Sequence, residues 1–332
     1  MRPKLRIVFM GTPEFAAIVL RRLIAWEGAD LAAVYCREDK PAGRGHKLTP
    51  PPAKLTALEY GLPVQQVKNF THEESRAALA AFRPDLLVTA AYGLILPQAV
   101  LDIPRLDALN VHASLLPRYR GAAPIQRAIM NGESATGITI MRMEADLDAG
   151  PVLRQRALAI GASDTAATLH DELAHLGVGL LLEVLDACRK GEPPAAILQN
   201  NALATYAARL EKHDGYIDWR YPAHVIHARI RGVTPWPGAW ATALLPWREP
   251  LSVLLMPGHI GPVLPEDVPP GTIVGTMEHC LAVACADRCY YIPKLRVSGR
   301  QSMDAVSFWN GYGPRHAGEH GRLCPPAPRN LQ

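Results

Sequence analysis

Short apolar runs alternate with amphipathic stretches over the first 190 residues. The strand-like runs are "LRIVFM" (5–10), "DLAAVYC" (30–36), "DLLVTAAY" (85–92), "ALNVHAS" (108–114) and "TGITIMRM" (136–143). Apolar positions have helical spacing in three segments: 14–26, 71–84, which opens with Thr71 as a predicted cap, and a long segment that ends at Gly191. This alternation predicts an α/β fold with a doubly wound, mostly parallel, Rossmann-like sheet. Ligands of such sheets bind at the carboxyl ends of the strands.

The pattern changes after residue 190. A segment rich in Pro, Asn and Ala, 191–205, is typical of a linker. Beyond it come short strand-like runs that Gly and Pro turns separate, preceded by a helix at 223–231. They predict a second domain, a small β-barrel of OB-like type, over 206–312. The first domain is then 1–190. The polar, Gly- and Pro-rich segment 313–332 is expected to be a mobile tail.

Composition narrows the class of protein only a little. The chain has 332 residues, which suits two domains, and a net charge of +4, which permits an acidic partner such as nucleic acid without requiring one. No run approaches the roughly 18 apolar residues of a membrane helix. The apolar run near the start is too short for a secretory signal, and the six cysteines are scattered. We therefore expect a reduced, cytoplasmic protein with no membrane contact.

Two sequence features suggest cofactors only weakly. Cys280, Cys285 and Cys289 lie near His279, but they lack a CxxC pair and alternate as in a strand, so we interpret them as packed thiols and expect no metal. The turn at 11–13 follows the first strand, where a dinucleotide-binding protein carries GxGxxG. It has a single glycine, so we interpret it as structural.

The segment "LNVHASLLPRYRG" (109–121) carries the first candidate chemistry. Side chains alternate along a strand, so Asn110 and His112 share one face, roughly 7 Å apart. Pro117 cannot continue a central strand, so the backbone must leave the sheet there. "MEADLDAG" adds Asp146 and Asp148 at the end of the next strand. An Asn, a His and an Asp at one crevice can stabilise an oxyanion, move a proton and orient the imidazole, without metal or covalent nucleophile.

"NVHASLLPRYRGAAPIQ" and the downstream "LDAG" resemble the formyltransferase family that uses 10-formyltetrahydrofolate. The resemblance implies that Asn110, His112 and Asp148 are the catalytic residues and that the folate is a consumed co-substrate. It also implies that two segments border the folate: Ser114, Leu115, Leu116 and Pro117, and Tyr92, Gly93, Leu94 and Ile95. The family usually has glycine where this chain has Asp146. A second carboxylate there would raise the pKa of its neighbour if the two were close.

Three further stretches resemble the branch of the family that formylates methionyl-tRNA. They are "DKPAGRGHKL" (39–48), "TYAARLEKHDGYIDW" (205–219) and "IRGVTPWPGAW" (230–240). The resemblance implies transfer of the formyl group to the α-amine of initiator methionyl-tRNA, for translation initiation, by a monomer. Lys40, Arg44 and Lys47 are expected to clamp the tRNA. Without the resemblance, this loop would be interpreted as a solvated surface feature. Further basic residues of the second domain could extend the tRNA surface: Arg209, Arg229, Arg231, Lys294, Arg296 and Arg300.

Two other functions fit parts of the sequence. The crevice could formylate a sugar nucleotide or another small amine, an alternative that the 39–48 loop disfavours. The protein could also bind tRNA or folate without turnover, which the complete Asn, His and Asp set disfavours.

Overall fold

The chain forms two compact units that are interleaved along the sequence. The computed structural model describes residues 3–42, 47–265, 267–314 and 319–326. The first unit comprises 1–124, 135–159 and 170–208, and the second comprises 125–134, 160–169 and 209–332. Two short segments from the middle of the chain thus belong to the second unit.

The helices and strands of the described residues have the following bounds. The strands are β1 (Leu5–Gly11), β2 (Ala29–Cys36), β3 (Lys40–Ala42), β4 (Lys47–Thr49), β5 (Val64–Gln66), β6 (Leu86–Ala90), β7 (Asp107–His112), β8 (Arg120–Gly121), β9 (Ala135–Arg142), β10 (Val152–Ala159), β11 (Tyr206–Ala207), β12 (Ala239–Leu244), β13 (Leu251–Leu255), β14 (His259–Ile260), β15 (Ile273–Met277), β16 (Cys280–Ala284), β17 (Cys289–Ile292), β18 (Lys294–Val297), β19 (Ser302–Asp304) and β20 (Arg322–Cys324). The helices are α1 (Glu14–Ala25), α2 (Pro52–Glu59), α3 (Glu73–Ala80), α4 (Gln98–Leu101), α5 (Pro124–Met130), α6 (Ala166–Lys190), α7 (Ala223–Gly232) and α8 (Ala305–Tyr312), with 3-10 turns at Asn201–Leu203 and Lys212–Gly215.

A seven-stranded sheet in the order β10-β9-β7-β6-β1-β2-β5 forms the centre of the first unit. The five strands from β7 to β5 are parallel, which confirms the mostly parallel, doubly wound sheet. Strand β9 runs antiparallel to β7, and β10 antiparallel to β9. The chain leaves β7 and enters β9 at the same edge of the sheet, so these two strands run in opposite directions. The alternation of strands and helices in the sequence does not show this reversal. The order of winding changes between β1 and β6, where such sheets open a crevice.

The central strands are buried on both faces, as their continuous apolar sequences require. All five residues of β6 are buried, and Thr89 is its single polar residue. The turn at 11–13 makes hydrogen bonds to two other strand ends. The Thr12 hydroxyl donates to the Tyr92 carbonyl at 2.9 Å and accepts from the Arg37 backbone N–H at 3.2 Å. Thr12 therefore links the ends of β1, β6 and β2.

Two antiparallel sheets form the second unit and pack on one core, as expected for a small β domain. Their orders are β19-β18-β13-β12-β20 and β14-β17-β16-β15. Trp219, Tyr290 and Phe308 are the largest side chains of that core. The second unit contains the short strands that the sequence predicts for it, and the predicted helix at 223–231 is present.

Three local expectations differ from the structure. Strand β20 lies in the segment expected to be a mobile tail, where it pairs with β12 and buries Leu323. The expected linker belongs to the first unit, where Ile197 pairs with Val152 and β11 pairs with β8. Helix α3 begins after His72 with no side-chain cap, because the Thr71 hydroxyl bonds to Asn69 instead. Residues 197–207 are called the connector below.

Candidate functional site

Strand β7 ends with Asn110 and His112 on one face, as predicted. Val111 points to the opposite face and is buried. Asn110 is half-buried, and only 6% of His112 is exposed. Strand β7 pairs with β6, with Asn110 beside Thr89. Both polar side chains therefore lie at the carboxyl edge of the parallel part of the sheet.

Asp148 determines which way the Asn110 amide points. The Thr89 hydroxyl donates to Asn110 Oδ1 at 2.8 Å, and Asn110 Nδ2 lies 3.4 Å from Asp148 Oδ1. A flipped amide would place its oxygen against the carboxylate, so this orientation is electrostatically favoured. The amide N–H group is thereby presented at the strand end.

The two ring nitrogens of His112 have different environments. Nε2 lies 3.0 Å from the Tyr119 carbonyl oxygen. A carbonyl only accepts hydrogen bonds, so Nε2 carries a proton. Nδ1 lies 3.6 Å from Asp148 Oδ2, which is longer than a hydrogen bond. Nδ1 is therefore the nitrogen that is left to exchange a proton, and it faces the carboxylate.

Asp148 lies in a tight turn after β9. Its backbone is left-handed with φ +50°, a conformation that Gly, Asn and Asp adopt most readily. Its carboxylate accepts from the Gly121 backbone N–H at 2.8 Å through Oδ2. Only 13% of the side chain is exposed. The structure therefore brings Asn110, His112 and Asp148 together, and these three residues are called the trio below.

Asp146, the departure from the family pattern, is exposed in the same turn. Its backbone carbonyl accepts from the Ala149 N–H at 3.4 Å. Asn110, His112 and Gly121 each contact Asp148 rather than Asp146. The position of the side chains therefore matches the choice of Asp148 from the "LDAG" frame.

The first segment expected to border the folate follows β7 directly. Ser114 is fully buried, and its hydroxyl donates to the Arg118 carbonyl at 2.7 Å. Thr139 of β9 donates its hydroxyl to the Ser114 carbonyl at 2.7 Å and accepts from the Leu116 N–H at 3.2 Å. Leu115 and Pro117 are half-buried. These bonds hold the backbone of 114–117 in one conformation at the strand end.

The second segment expected to border the folate follows β6, the neighbour of β7. Tyr92 is buried, and burial raises the pKa of its phenol above the ordinary value. Gly93 is exposed, Leu94 is half-buried, and Ile95 is 79% exposed. Since β6 and β7 are parallel neighbours, this segment and 114–117 leave the sheet at the same edge. Together they offer backbone groups and apolar side chains beside the trio.

Two of the three residues expected to clamp tRNA lie on a two-stranded ribbon. Lys40 begins β3 and Lys47 begins β4, the strands are antiparallel, and both side chains are exposed. Arg44 lies in 43–46, outside the described residues. At the base of the ribbon, Lys54 bonds Asp39 at 2.8 Å and Gln66 at 2.9 Å. Gln66 Nε2 also donates to Asp39 at 2.8 Å. The hydrogen bonds from Lys54 and Gln66 hold the pKa of Asp39 below its usual range, so Lys54 has a structural partner.

The basic residues of the second domain that were expected to extend the tRNA surface differ in their exposure and in their partners. Arg231 is buried and donates to the carbonyls of Gly161 and Asp164 at 3.0 and 2.8 Å. Arg229 donates to the Asp214 carbonyl at 2.9 Å. Arg209 and Arg300 are exposed, and Lys294 and Arg296 are exposed on the outer face of β18. Arg231 is therefore a core residue rather than part of a tRNA surface.

The three cysteines near His279 are buried in the second unit. Burial raises the pKa of the Cys285 thiol to about 12. Among the residues that the structure describes, no group of three or more His, Cys, Asp or Glu side chains is arranged to hold a metal ion. In the same part of the chain, no helix has both the length and the apolar character that crossing a membrane requires.

Sequence reasoning missed the residues that hold the trio in place. Thr89 gives a weak signal, as a hydroxyl in an otherwise apolar buried strand. Arg120, Gly121 and Gln199 give none, because their partners are distant in sequence and depend on how the loops fold. Gln199 donates to the backbone carbonyls of Asp148 and Gly150.

Family models match both halves of the chain. The model described as formyl transferase matches residues 5–185, and the model described as formyl transferase, C-terminal domain, matches residues 209–313. The methionyl-tRNA formyltransferase of Nitratidesulfovibrio vulgaris (strain DP4) is 52% identical over 321 residues, covering 97% of this chain and 96% of that protein. That of Pseudomonas fluorescens (strain SBW25) is 44% identical over 310 residues, covering 93% and 95%.

Solved structures share the fold at low sequence identity. HypX from Aquifex aeolicus, in complex with tetrahydrofolic acid, has a TM-score of 0.59 at 18% identity and covers 93% of this chain and 47% of that chain. WlaRD, a sugar 3N-formyl transferase crystallised with dTDP and 5-N-formyl-THF, has a TM-score of 0.58 at 16% identity and covers 91% and 100%. At this identity the likeness concerns the fold alone.

Proposed function

Because this chain belongs to the formyl transferase family, we propose that it transfers the formyl group of 10-formyltetrahydrofolate to the α-amine of methionine on initiator methionyl-tRNA. The choice of methionyl-tRNA as the acceptor rests on 52% identity to a methionyl-tRNA formyltransferase over nearly the whole of both chains. The observation that supports the chemistry is the meeting of Asn110, His112 and Asp148 at the carboxyl edge of the sheet.

The proposed reaction begins with attack of the neutral amine on the formyl carbon. The carbonyl electron pair moves to oxygen, which forms a tetrahedral oxyanion. Asn110 Nδ2 is the side-chain donor presented at the strand end, so it stabilises this charge. Collapse breaks the bond between the formyl carbon and the folate N10. One proton leaves the amine and one arrives at N10, so the reaction is balanced without metal or redox chemistry.

His112 and Asp148 move that proton. The Tyr119 carbonyl holds the proton of Nε2, so Nδ1 is the nitrogen that accepts a proton from the amine and releases it to the leaving N10. Asp148 faces Nδ1 at 3.6 Å and stabilises the imidazole while it is charged. The distance leaves the carboxylate without a direct hydrogen bond to the ring, and a water molecule can complete the relay.

The folate lies along the two segments that leave the sheet beside the trio. Backbone groups of 114–117 and 92–95 bind the polar edge of the pterin, and the apolar side chains of Leu94, Ile95 and Leu115 cover its faces. The exposure of Ile95 in the free protein leaves it available for this contact. The folate is a co-substrate that is consumed in each turnover.

The tRNA is held by the ribbon of β3 and β4 and the residues between them. Lys40 and Lys47 are exposed ammonium groups, and each neutralises phosphate without reading sequence. Arg44 carries a guanidinium, which can bind phosphate at two points or read a base edge. Since the acceptor is a tRNA charged for translation initiation, we place the protein in the cytoplasm. The expected monomeric state stays a prediction.

A single assay separates this function from its alternatives. Radiolabelled 10-formyltetrahydrofolate is offered with charged initiator tRNA, with a UDP-amino-sugar and with glycinamide ribonucleotide. We expect label on the methionyl-tRNA alone. Label on the sugar or on the ribonucleotide would establish one of the small-amine alternatives. Binding of tRNA and folate with no transfer to any acceptor would establish a binding protein.

A further inference from the structure

Gln199 of the connector bonds directly to the turn that carries Asp148. Its Nε2 donates to the Asp148 carbonyl at 2.8 Å and to the Gly150 carbonyl at 2.7 Å. An amide nitrogen has two hydrogens, so these two bonds use both of them. One side chain therefore holds the backbone on both sides of Ala149.

Arg120 fixes the orientation of that amide. Its Nε and Nη2 donate to Gln199 Oε1 at 3.2 and 2.8 Å, and Nη2 also donates to Asn201 Oδ1 at 2.7 Å. A guanidinium only donates, so the amide oxygen must face Arg120 and the amide nitrogen must face the turn. Arg120 is only 4% exposed, so the cation depends on these acceptors.

The connector also holds the loop that contacts the other side of the trio. Thr205 accepts from the Tyr119 N–H through its hydroxyl and from the Arg120 N–H through its carbonyl, both at 2.9 Å. The Ala207 carbonyl accepts from the Ala122 N–H at 3.0 Å. This loop supplies the Tyr119 carbonyl to His112 and the Gly121 N–H to Asp148.

We propose that Gln199, locked by Arg120, is a positioning residue for Asp148, and that the connector is a structural part of the active site rather than a passive link. The proposal rests on the proposed function only for its catalytic consequence. Gln199 touches no reacting atom. It sets the backbone of the left-handed residue whose carboxylate faces Asn110 and His112, and a displacement of about 1 Å at such a group can slow turnover about 10²-fold.

Two substitutions of Gln199 distinguish its bond to Arg120 from its bonds to the turn that carries Asp148. Gln199→Glu keeps an acceptor for Arg120 but replaces the donors that hold the carbonyls of Asp148 and Gly150. Gln199→Met keeps the length of the side chain and removes every hydrogen bond. The matched control is Gln98→Met, because Gln98 is exposed outside the connector and its amide donates only a local hydrogen bond, to Asp102 at 2.8 Å. Thermal unfolding of each variant reports whether the fold survives.

Steady-state kinetics with charged initiator tRNA provide the first measurement. We expect both Gln199 variants to lose about 10- to 100-fold in kcat, with KM for 10-formyltetrahydrofolate close to wild type, since the hydrogen bonds of Gln199 go to Arg120, Asp148 and Gly150. Gln98→Met should retain kcat. Wild-type kcat in both Gln199 variants, or an equal loss in Gln98→Met, would overturn the proposal.

Hydrogen–deuterium exchange provides the second measurement and requires no turnover. We expect faster amide exchange across residues 144–152 in both Gln199 variants than in wild type or Gln98→Met. Unchanged exchange there would overturn the positioning role. If wild type transferred no formyl group to methionyl-tRNA, the proposed function would fail, while the exchange result would still decide whether Gln199 orders the Asp148 turn.

Discussion

At the scale of single residues, the site depends on groups whose orientation is set by a neighbour. The Asp148 carboxylate orients the Asn110 amide, and the Tyr119 carbonyl determines which nitrogen of His112 carries its proton. The Gly121 N–H occupies one oxygen of Asp148. Each of the three groups thus has at least one atom held by a neighbouring group. Such prior orientation is the main means by which an active site stabilises developing charge.

The Asn110 amide is expected to contribute strongly to the rate. Asn110→Ala removes the donor at the strand end and should lower kcat by about 10²–10³. Asn69→Ala makes the same truncation at an exposed turn and should retain full activity. Thermal unfolding and kcat are measured for both variants. Near-wild-type kcat in Asn110→Ala would mean that the oxyanion is stabilised elsewhere.

At the scale of elements, short strand pairings position the loops around the sheet edge. The pairing of β8 with β11 brings Gly121 against Ala207. Gly121 has φ +110°, and a Cβ there would lie 2.9 Å from the Ala207 carbonyl oxygen. The ribbon of β3 and β4 in turn presents exposed lysines around residues 43–46. The loop that contacts Asp148 is thus held by a pairing of two residues on each strand.

Gly121→Ala is expected to disturb the site as well as the backbone. A left-handed alanine costs about 1–2 kcal/mol, and the clash with Ala207 moves the N–H that Asp148 needs. Gly191→Ala is the control, because Gly191 also has positive φ, +80°, but no atom lies within 4 Å of an added Cβ. Both variants should lose stability by thermal unfolding, and only Gly121→Ala should lose kcat. Equal activity in the two would contradict a role for the β8–β11 pairing at the site.

The lysines of the ribbon are expected to act as phosphate charges. A double variant, Lys40→Ala with Lys47→Ala, should lower the slope of log affinity for tRNA against log salt by about one unit per lysine or less. Folate binding should not change. Lys190→Ala, at the exposed end of α6, removes a lysine away from the ribbon and should leave the slope as in wild type. An unchanged slope in the double variant would make the ribbon a solvated surface feature.

In the same titration, Arg44→Ala should weaken tRNA binding by more than either single lysine variant.

At the scale of the whole molecule, a half-buried histidine of the second unit is expected to make stability depend on pH. In the second unit, burial lowers the pKa of His227 below its ordinary 6.5. Its Nε2 lies 2.8 Å from the Ala162 carbonyl and its Nδ1 lies 3.2 Å from the Tyr290 hydroxyl. The unfolded chain takes up a proton at a higher pH than the folded chain. The stability that neutral His227 contributes is therefore present above pH 6.5 and lost as the pH falls through the folded pKa.

Replacing His227 should remove part of this pH dependence. The unfolding temperature of wild type should fall between about pH 7.5 and about pH 5.5, and that of His227→Gln should fall less over the same range. His213→Gln serves as control, because His213 is 68% exposed in the same unit. Scanning calorimetry across that range gives the comparison. A fall of equal size in His227→Gln would show that other groups cause the loss.

The sequence was most informative where a pattern is local. Period-2 alternation placed Asn110 and His112 on one face, and apolar runs located the main strands, which the structure confirms. The "LDAG" frame pointed to Asp148, which does contact both. Long-range pairings could not be predicted, because they depend on the fold: the antiparallel β9 and β10, strand β20 in a Gly- and Pro-rich segment, and the contact of Gln199 with Asp148. Arg231 was expected on a surface because it is charged, yet its partners are backbone carbonyls distant in sequence.

The most direct test of the central claim is a single-turnover comparison of two neighbouring carboxylates. Enzyme loaded with 10-formyltetrahydrofolate is mixed with charged initiator tRNA, and formylmethionyl-tRNA is quantified against time for wild type, Asp148→Asn and Asp146→Asn. Asp148 is mostly buried and faces Asn110 and His112, whereas Asp146 is exposed. We expect rapid transfer by wild type and Asp146→Asn, and a rate about 10² or more lower for Asp148→Asn. A larger loss at Asp146, or equal losses at both positions, would contradict the assignment of Asp148 as the carboxylate that works with His112.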